Sequence, residues 1–193
     1  KIDVNPLPNF DLGSNTSICI YDSLNLLASG GSNYLWEPNY NITNVNISNP
    51  TVYNYVDTTY YVTVTDSNSC INYDSITINV NSLPIVNASA NDSIICFGSS
   101  TILLGTGAVF YQWTPSDSLS NPNFSFPNAN PDSTTLYTLI GTDANGCTNT
   151  DSINITVNSL PTAYAGEDDT ICPGTDIQLN GSGGTTYQWI NPI

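Results

Sequence analysis

The sequence predicts an all-β protein built from small antiparallel β-sandwich domains that are joined end to end. The first observation behind this prediction is a repeat, because Trp36, Trp113 and Trp189 recur at nearly equal intervals along the chain. The second is the pattern within each repeat, where apolar residues recur at period two in short runs separated by turn residues. The interval between tryptophans is too long for a solenoid unit and suits a small domain that folds around its own core.

Other landmarks keep the same spacing and divide the 193 residues into units. They are Cys19, Cys96 and Cys172, each at the same distance before a tryptophan; Cys70 and Cys147; and the pairs Leu7-Pro8, Leu83-Pro84 and Leu160-Pro161. We expect residues 1–7 to be the end of a preceding repeat or a linker, and residues 8–83 and 84–160 to be two complete repeats. Residues 161–193 are then the N-terminal part of a third repeat, so the sequence is expected to be a window on a longer protein.

The second repeat gives the order of the elements. Its apolar and turn residues predict an edge strand at 84–90 extended by 93–96, and strands at 101–104, 111–113, 124–126, 136–142 and 147–157. The pair Asn145-Gly146 predicts a tight hairpin turn between the last two strands. No segment has a helical period, so short strands and frequent turns around one tryptophan predict a sandwich.

Five aromatic residues are predicted to lie in the cores. Tryptophans at equivalent positions of a sandwich are expected to be buried, and the alternative is that they form sugar-stacking platforms. Tyrosines that open the strand before the last hairpin are expected at the corner where the hydroxyl bonds back to the chain. The predicted core set is Trp36, Trp113, Trp189, Tyr60 and Tyr137.

The charge balance excludes several classes of function. The chain has sixteen acidic residues, one Lys, no Arg and no His, and a net charge of −15. Such a surface cannot neutralise phosphates, so nucleic acids are not expected as partners. No apolar run approaches the ~20 residues of a membrane-spanning helix, so membrane insertion is not expected either. Without His or Arg, the chain lacks the residues that form catalytic triads and phosphate clamps, and we expect no enzyme activity.

Several motifs resemble a known class of repeats. They are Ile95-Cys96-Phe97-Gly98, Tyr111-Gln112-Trp113-Thr114-Pro115, Leu136-Tyr137-Thr138-Leu139 and Thr142-Asp143-Ala144-Asn145-Gly146-Cys147, with Ile171-Cys172-Pro173-Gly174 opening the third repeat. They resemble the Ig-like and PKD-like repeats of large secreted Bacteroidetes proteins, many of them exported by the type IX system and including gliding-motility adhesins. The Gly-Asp-Gly turn of PKD repeats is absent after the tryptophan, which favours the Ig-like label. The resemblance implies an extracellular or cell-surface stalk, adhesin or filament.

The cysteines point to disulfides and an oxidising environment, and two pairings are open. Within a repeat the pairs are Cys19–Cys70 and Cys96–Cys147. In the predicted topology, however, Cys96 and Cys147 lie at opposite ends of a domain, about 23 Å apart along a strand, whereas a disulfide needs Cα atoms within about 7 Å. We therefore prefer an inter-repeat pair, Cys19–Cys147, with Cys70, Cys96 and Cys172 bonded to cysteines of neighbouring repeats.

Acidic residues at turns suggest a calcium site at the junctions between repeats. The candidate ligands are Asp66, Asp143, Glu167 and Asp168. The alternative is that an Asp in a turn accepts hydrogen bonds from its own backbone. No other cofactor is expected.

An Asp-Ser/Thr motif followed by an apolar residue or Thr occurs eight times. It resembles the acceptor motif of O-glycosylation in Bacteroidetes and would make the protein a glycoprotein, although a chain rich in these residues also produces it by composition. The candidate acceptors are Ser23, Thr58, Ser75, Ser93, Ser118, Ser133, Ser152 and Thr170.

The function predicted from the sequence is non-catalytic: a structural or adhesive segment of a long extracellular repeat protein, acting as a stalk or surface fibre. Its expected partners are neighbouring repeats of the same chain, other copies in a fibre, or surface glycans. One alternative is a carbohydrate-binding module, for which Tyr34, Tyr40, Tyr53 and Tyr55 would supply an aromatic stripe in the first repeat. The other alternative is a spacer in a secreted multidomain enzyme.

Overall fold

The computed structural model describes residues 2–190, which form thirteen β-strands and no helix. The first repeat contains β1 (Thr16–Cys19), β2 (Leu24–Asn25), β3 (Asn33–Glu37), β4 (Thr51–Val52), β5 (Thr58–Thr65) and β6 (Ile71–Asn81). The second contains β7 (Asn87–Ala90), β8 (Ile94–Cys96), β9 (Thr101–Thr106), β10 (Phe110–Thr114), β11 (Asn128–Ala129), β12 (Thr135–Thr142) and β13 (Thr148–Asn158). The prediction of an all-β chain is confirmed.

The second repeat is an Ig-like sandwich of two sheets. One sheet has the order β10-β12-β13-β8 and the other the order β11-β9-β7. Neighbouring strands are antiparallel except β8, which pairs in parallel with the end of β13. The chain thus starts in the three-stranded sheet as β7 and crosses to the other sheet as β8, which places Cys96 beside Asn158.

The first repeat has the same plan with a smaller second sheet. Its larger sheet has the order β1-β6-β5-β3, and its smaller sheet consists of β2 and β4. No strand corresponds to β7, but Phe10 and Leu12 still pack on the core, and the Leu12 N–H donates to the Asp74 carboxylate at 3.0 Å. The same bond in the second repeat joins the Ala88 N–H to Asp151 at 2.8 Å.

Each complete repeat has a hydrophobic core of its own with a tryptophan at its centre. One cluster of buried residues runs from Leu26 to Ile78 and the other from Val86 to Ile155. Trp36 and Trp113 are fully buried. Their indole N–H groups donate to the carbonyl oxygens of Ile47 at 2.9 Å and Phe124 at 3.1 Å, so burial leaves neither donor unpaired.

The third tryptophan corrects the sequence-based prediction of burial, since Trp189 is 50% exposed. In the two complete repeats, the strand that carries the tryptophan pairs with β5 or β12, which begin at Thr58 and Thr135, far beyond the tryptophan in sequence. Among residues 2–190, no strand pairs with the segment that holds Trp189. Ile177 and Leu179 are exposed for the same reason, although Leu103 and Leu26, which are equivalent to Leu179, are buried.

The polar stretch after Trp113 also differs from the prediction. Residues 124–126 form no strand, and Phe124 and Phe126 are more than half exposed. The strand of this region is β11, which lies further along the chain and pairs with β9.

Candidate functional site at the junction between repeats

A disulfide bond joins the two complete repeats. The Sγ atoms of Cys19 and Cys147 are bonded, with their Cα atoms 5.6 Å apart and a sequence separation of 128. This is the inter-repeat pair that the sequence analysis preferred, and we call it the staple. The alternative pairs within a repeat are not formed, because Cys70 and Cys96 have free thiols.

The register of the sheets explains why the bond forms between repeats. We call the end of a sandwich where its last strand finishes the exit end, and the opposite end the entry end. Cys19 pairs with Asn81 at the exit end of the first repeat, just as Cys96 pairs with Asn158 in the second. Cys147 precedes the eleven-residue strand β13, so about 36 Å of extended chain separates it from Cys96. A bond within one domain is therefore impossible without unfolding.

The exit cysteine lies at the tip of a short parallel pair of strands. The Ile20 N–H donates to the Asn81 carbonyl oxygen at 2.8 Å, and the Asp22 N–H donates to the Cys19 carbonyl oxygen at 3.0 Å. The turn directs the chain away from β6 immediately after the cysteine. Cys19 is consequently held next to the point at which the chain leaves the first repeat.

The hairpin cysteine is held by an aspartate. Asp143 Oδ1 accepts hydrogen bonds from the Asn145 N–H at 2.9 Å and the Cys147 N–H at 2.8 Å. Gly146 has a φ of +84°, which glycine adopts without strain and which the tight turn requires. The acidic turn therefore fixes the backbone that carries the disulfide.

The connection between the repeats is short and tied down. β6 ends at Asn81, and the Pro84 carbonyl oxygen already accepts a hydrogen bond from the Asn149 side chain at 3.0 Å. Asn149 is two residues from Cys147, so the peptide connection and the disulfide lie side by side. Two adjacent covalent links restrain the angle between domains far more than one does.

The other cysteines occupy positions equivalent to the two ends of the staple. Cys70 is half-buried in the hairpin of the first repeat, where Asp66 Oδ1 accepts from its N–H at 2.8 Å. Cys96 and Cys172 are exposed and correspond to Cys19. Their predicted bonds to neighbouring repeats stay a prediction.

The carboxylates suggested as calcium ligands have other contacts in the structure. Asp66 and Asp143 accept hydrogen bonds from the backbone of their own turns, and Glu167 accepts one from the Tyr164 hydroxyl. Within residues 2–190, no three side chains of the His, Cys, Asp and Glu types are grouped as metal ligands would be. The contacts match the turn-capping alternative, and calcium binding at these residues and Asp168 stays untested.

The candidate glycosylation sites differ in accessibility. Thr58 is buried and its hydroxyl donates to the Val56 carbonyl oxygen at 2.9 Å, so the folded domain has no room for a sugar there. The remaining acceptors are exposed: Ser23, Ser75, Ser93, Ser118, Ser133, Ser152 and Thr170. Their modification stays a prediction.

The tyrosines proposed as an aromatic stripe differ in exposure, and their binding to sugars stays a prediction. Tyr34 is half-buried, because its hydroxyl donates to the Gly31 carbonyl oxygen at 3.0 Å, whereas Tyr40, Tyr53 and Tyr55 are exposed. Tyr55 contacts a different ring, Tyr21, in an edge-on pair with centroids 6.0 Å apart.

Two exposed tyrosines on the larger sheet were missed. Tyr61 and Tyr73 lie on the outer faces of β5 and β6 and are 59% and 70% exposed. Alternation along β5 was the available signal, because Tyr60 points inward and its neighbour must then point outward.

The comparisons with known proteins find solved structures that are distantly similar to this chain. No protein-family model matches the sequence, and no curated protein matches it significantly. The chain is similar to an I-band fragment of titin (14% identity, TM-score 0.39, covering 82% of this chain and 68% of that one). It is also similar to fibronectin(III)-like modules of CbhA from Clostridium thermocellum (10% identity, TM-score 0.40, covering 79% and 95%). A third similar structure is the PKD domain of the KIAA 1837 protein (22% identity, TM-score 0.34, covering 42% and 92%).

Two observations bear on the environment of the protein. The disulfide indicates an oxidising compartment. No helix long and apolar enough to cross a membrane occurs among residues 2–190.

Proposed function

We propose that this chain is a non-catalytic segment of an extracellular stalk or surface fibre, and that its disulfides make the stalk resist extension. The observation that carries the proposal is the staple between consecutive domains. The composition supports a non-catalytic role, since a chain with one Lys and neither Arg nor His lacks the usual bases, nucleophile activators and anion clamps.

The staple changes the path along which force travels. Tension applied to the two ends of the chain enters at Cys19 and leaves at Cys147 through the sulfur–sulfur bond. The chain between these cysteines, whose sequence separation is 128, is therefore outside the covalent path under tension. At a maximum of about 3.3–3.6 Å per residue, about 440 Å of chain is prevented from extending.

The same logic extends to neighbouring repeats. If Cys172 bonds to the hairpin of a later repeat as Cys19 bonds to Cys147, successive staples are joined by residues 147–172. Fully extended, that segment spans about 90 Å. Two sandwiches as long as the eleven-residue β13 already span about 73 Å when folded. A stapled fibre would then gain little length even if its domains unfolded.

A second path would run through the remaining cysteines. Cys70 would bond to the preceding repeat and Cys96 to the hairpin of the third, and a segment of similar length, residues 70–96, joins these two positions. Each disulfide path would pass through every second junction between domains, and the two paths would use different junctions. Breaking one disulfide would therefore leave the other path intact.

Single-molecule stretching tests the proposal on the chain itself. The oxidised chain, held at its two termini, should release no unfolding length from residues 20–146. Cys19→Ser should release about 440 Å more when its domains unfold. Cys96→Ser is the matched control, since it removes an exposed thiol and leaves the staple in place. Equal total extension in the oxidised chain and in Cys19→Ser would overturn the proposal.

The finer assignment rests on the resemblance noted in the sequence. We propose a secreted Bacteroidetes surface protein of the type IX or gliding-motility class, O-glycosylated at its exposed Asp-Ser/Thr motifs. Its contacts in a fibre would be with neighbouring repeats and other copies of the chain. The intact mass of the natural protein tests the modification, and a mass equal to that of the sequence would refute it.

A further inference from the structure

The outer face of the larger sheet in the first repeat and the loop that follows β3 carry an unusual set of side chains. Tyr40, Tyr61 and Tyr73 are 54%, 59% and 70% exposed there. None of them takes part in the one aromatic ring pair found among residues 2–190, which is Tyr21 with Tyr55. No other aromatic ring within that range therefore covers them.

These tyrosines line one continuous surface. A groove beside β3 is lined by Tyr40, Tyr61, Glu37 and Asp57. A second groove, across β5 and β6, is lined by Tyr61, Glu37, Tyr73 and Ser75. Because Tyr61 and Glu37 line both grooves, the two are adjacent and together cross three strands. We call this surface the tyrosine groove.

The strand register sets the spacing of the rings. Tyr61 lies opposite Glu37 on β3 and opposite Ser75 on β6, and Tyr73 is two residues from Ser75. Tyr61 and Tyr73 are therefore diagonal neighbours, with Cα atoms about 7–8 Å apart. At that spacing, the two aromatic side chains are within reach of each other and can contact one ligand.

The backbone beneath the groove is fixed by the core. The buried Tyr60 hydroxyl lies 3.3 Å from the carbonyl oxygen of Tyr40, directly beneath the loop that carries the exposed Tyr40 ring. Tyr61 and Tyr73 are held by the central strand pairing of β5 with β6. A surface fixed in this way loses little conformational entropy on binding.

Folding alone does not require the tyrosines. The second repeat builds the same sheet with Asp117, Thr138 and Thr150 at the positions equivalent to Tyr40, Tyr61 and Tyr73. Thr114 takes the place of Glu37. The groove is thus a property of the first repeat and not of the stalk architecture.

We propose that the tyrosine groove binds a neutral polysaccharide. The flat phenol rings offer apolar faces to the C–H groups of sugar rings, while their hydroxyls and the neighbouring carboxylates exchange hydrogen bonds with sugar hydroxyls. The carboxylates Glu37 and Asp57, on a chain of net charge −15, repel an anionic polymer. A neutral polysaccharide offers both the C–H groups and hydroxyls that the groove can contact and the lack of negative charge that the carboxylates require.

Binding assays on the whole chain test the proposal. The probes are xyloglucan, galactomannan, laminarin and dextran as neutral polysaccharides and alginate as the anionic one, used in affinity electrophoresis followed by calorimetry. At least one neutral polysaccharide should retard the chain and alginate should not. Tyr61→Thr with Tyr73→Thr, which copies the second repeat, should weaken binding by about tenfold or more, as the loss of central aromatic contacts does at other binding surfaces.

The control changes the equivalent positions of the second repeat. Thr138→Ala with Thr150→Ala should leave the affinity unchanged. Failure of all four neutral polysaccharides to bind, or an equal loss in the two double variants, would overturn the proposal. So would binding of a lysine-rich peptide at the groove in preference to the sugars, lost in high salt, because it would show that the carboxylates recognise cations.

The result is independent of the mechanical role. Tyr61 and Tyr73 lie outside the staple junction, so their replacement should not alter the stretching behaviour of the oxidised chain. A chain that resists extension but binds no sugar would refute the groove alone.

Discussion

The Tyr60 hydroxyl donates a hydrogen bond to Asn54 Oδ1 at 2.9 Å in the core of the first repeat, where both residues are fully buried. The second repeat lacks this pair, because Pro131 takes the place of Asn54. The Tyr137 hydroxyl is buried there without a hydrogen-bond partner. The equivalent corner tyrosines of two domains with the same fold therefore differ in hydrogen bonding: Tyr60 has a buried partner and Tyr137 has none.

The corner difference predicts opposite responses to the same substitution. Tyr60→Phe should cost the first repeat about 1–3 kcal/mol, because it leaves Asn54 Oδ1 buried and unpaired. Tyr137→Phe should leave the second repeat as stable or more stable, since it removes a buried hydroxyl that has no partner. Hydrogen exchange of amides in β5 and β12 measures the two repeats separately. Equal losses in both would contradict the assignment.

Alkaline pH should weaken the first repeat through Tyr60. Burial, with a smaller contribution from Tyr40, raises the pKa of Tyr60 from its usual 10.0 to about 12. A group whose pKa is raised on folding contributes stability that is complete below its unfolded pKa and is lost as pH rises through the folded value. Exchange in β5 should therefore accelerate between pH 10 and pH 12, and Tyr60→Phe should remove that part of the dependence. An unchanged profile in Tyr60→Phe would sink this prediction.

Acid should weaken the attachment of the first strand of the second repeat. Hydrogen bonds from the Ala88 and Ser152 N–H groups lower the pKa of Asp151 below its usual 3.8. A carboxylate whose pKa is lowered on folding stabilises the folded state at pH values above its unfolded pKa. That stability is lost as the pH falls through its folded pKa. The exchange protection of the Ala88 amide should decline below about pH 4, and Asp151→Asn should remove this dependence. The exposed Asp132→Asn is the control and should show the same pH profile as the unaltered chain.

Loss of the staple should destabilise both repeats at once. If one repeat unfolds while the other stays folded, the bond between Cys19 and Cys147 closes a loop that spans nearly the whole of the unfolded repeat. Chain entropy alone gives such a loop a stabilising effect of about 4 kcal/mol. Cys19→Ser should lower the free energy of unfolding in β5 and in β12, whereas Cys96→Ser should change neither. A loss in one repeat only would contradict the shared loop.

Much of the fold followed from patterns of short range. The strand predicted at 101–104 is found as part of β9, and its alternate residues Thr101 and Leu103 are buried. The Asn-Gly turn located the hairpin that carries Cys147, since a tight turn is fixed by the few residues within it. The staple followed from the order of the strands, because the order sets which ends of adjacent domains meet.

Other features could not be predicted from local pattern. A strand was expected at residues 124–126 because two phenylalanines alternate there, but the strand of this region is β11. Its position is set by pairing with β9, which the local sequence does not show. The partner of Tyr60 was missed because Asn54 reads as an ordinary loop residue, and only the folded core shows that it is buried. The tyrosine groove was missed because its side chains come from separate segments of the chain.

The third repeat separates the contacts that the local sequence determines from those that need the complete domain. Tyr187 donates its hydroxyl hydrogen to the Gly184 carbonyl oxygen, as Tyr34 does to Gly31 and Tyr111 to Ala108, although no sheet forms around it. The sequence by itself determines such contacts, because they join residues three positions apart. The burial of Trp113 was decided by the tertiary structure, since its strand must pair with β12, which begins only at Thr135, and no strand among residues 2–190 pairs with the segment of Trp189. The staple likewise exists only once two separate domains have folded and their ends meet.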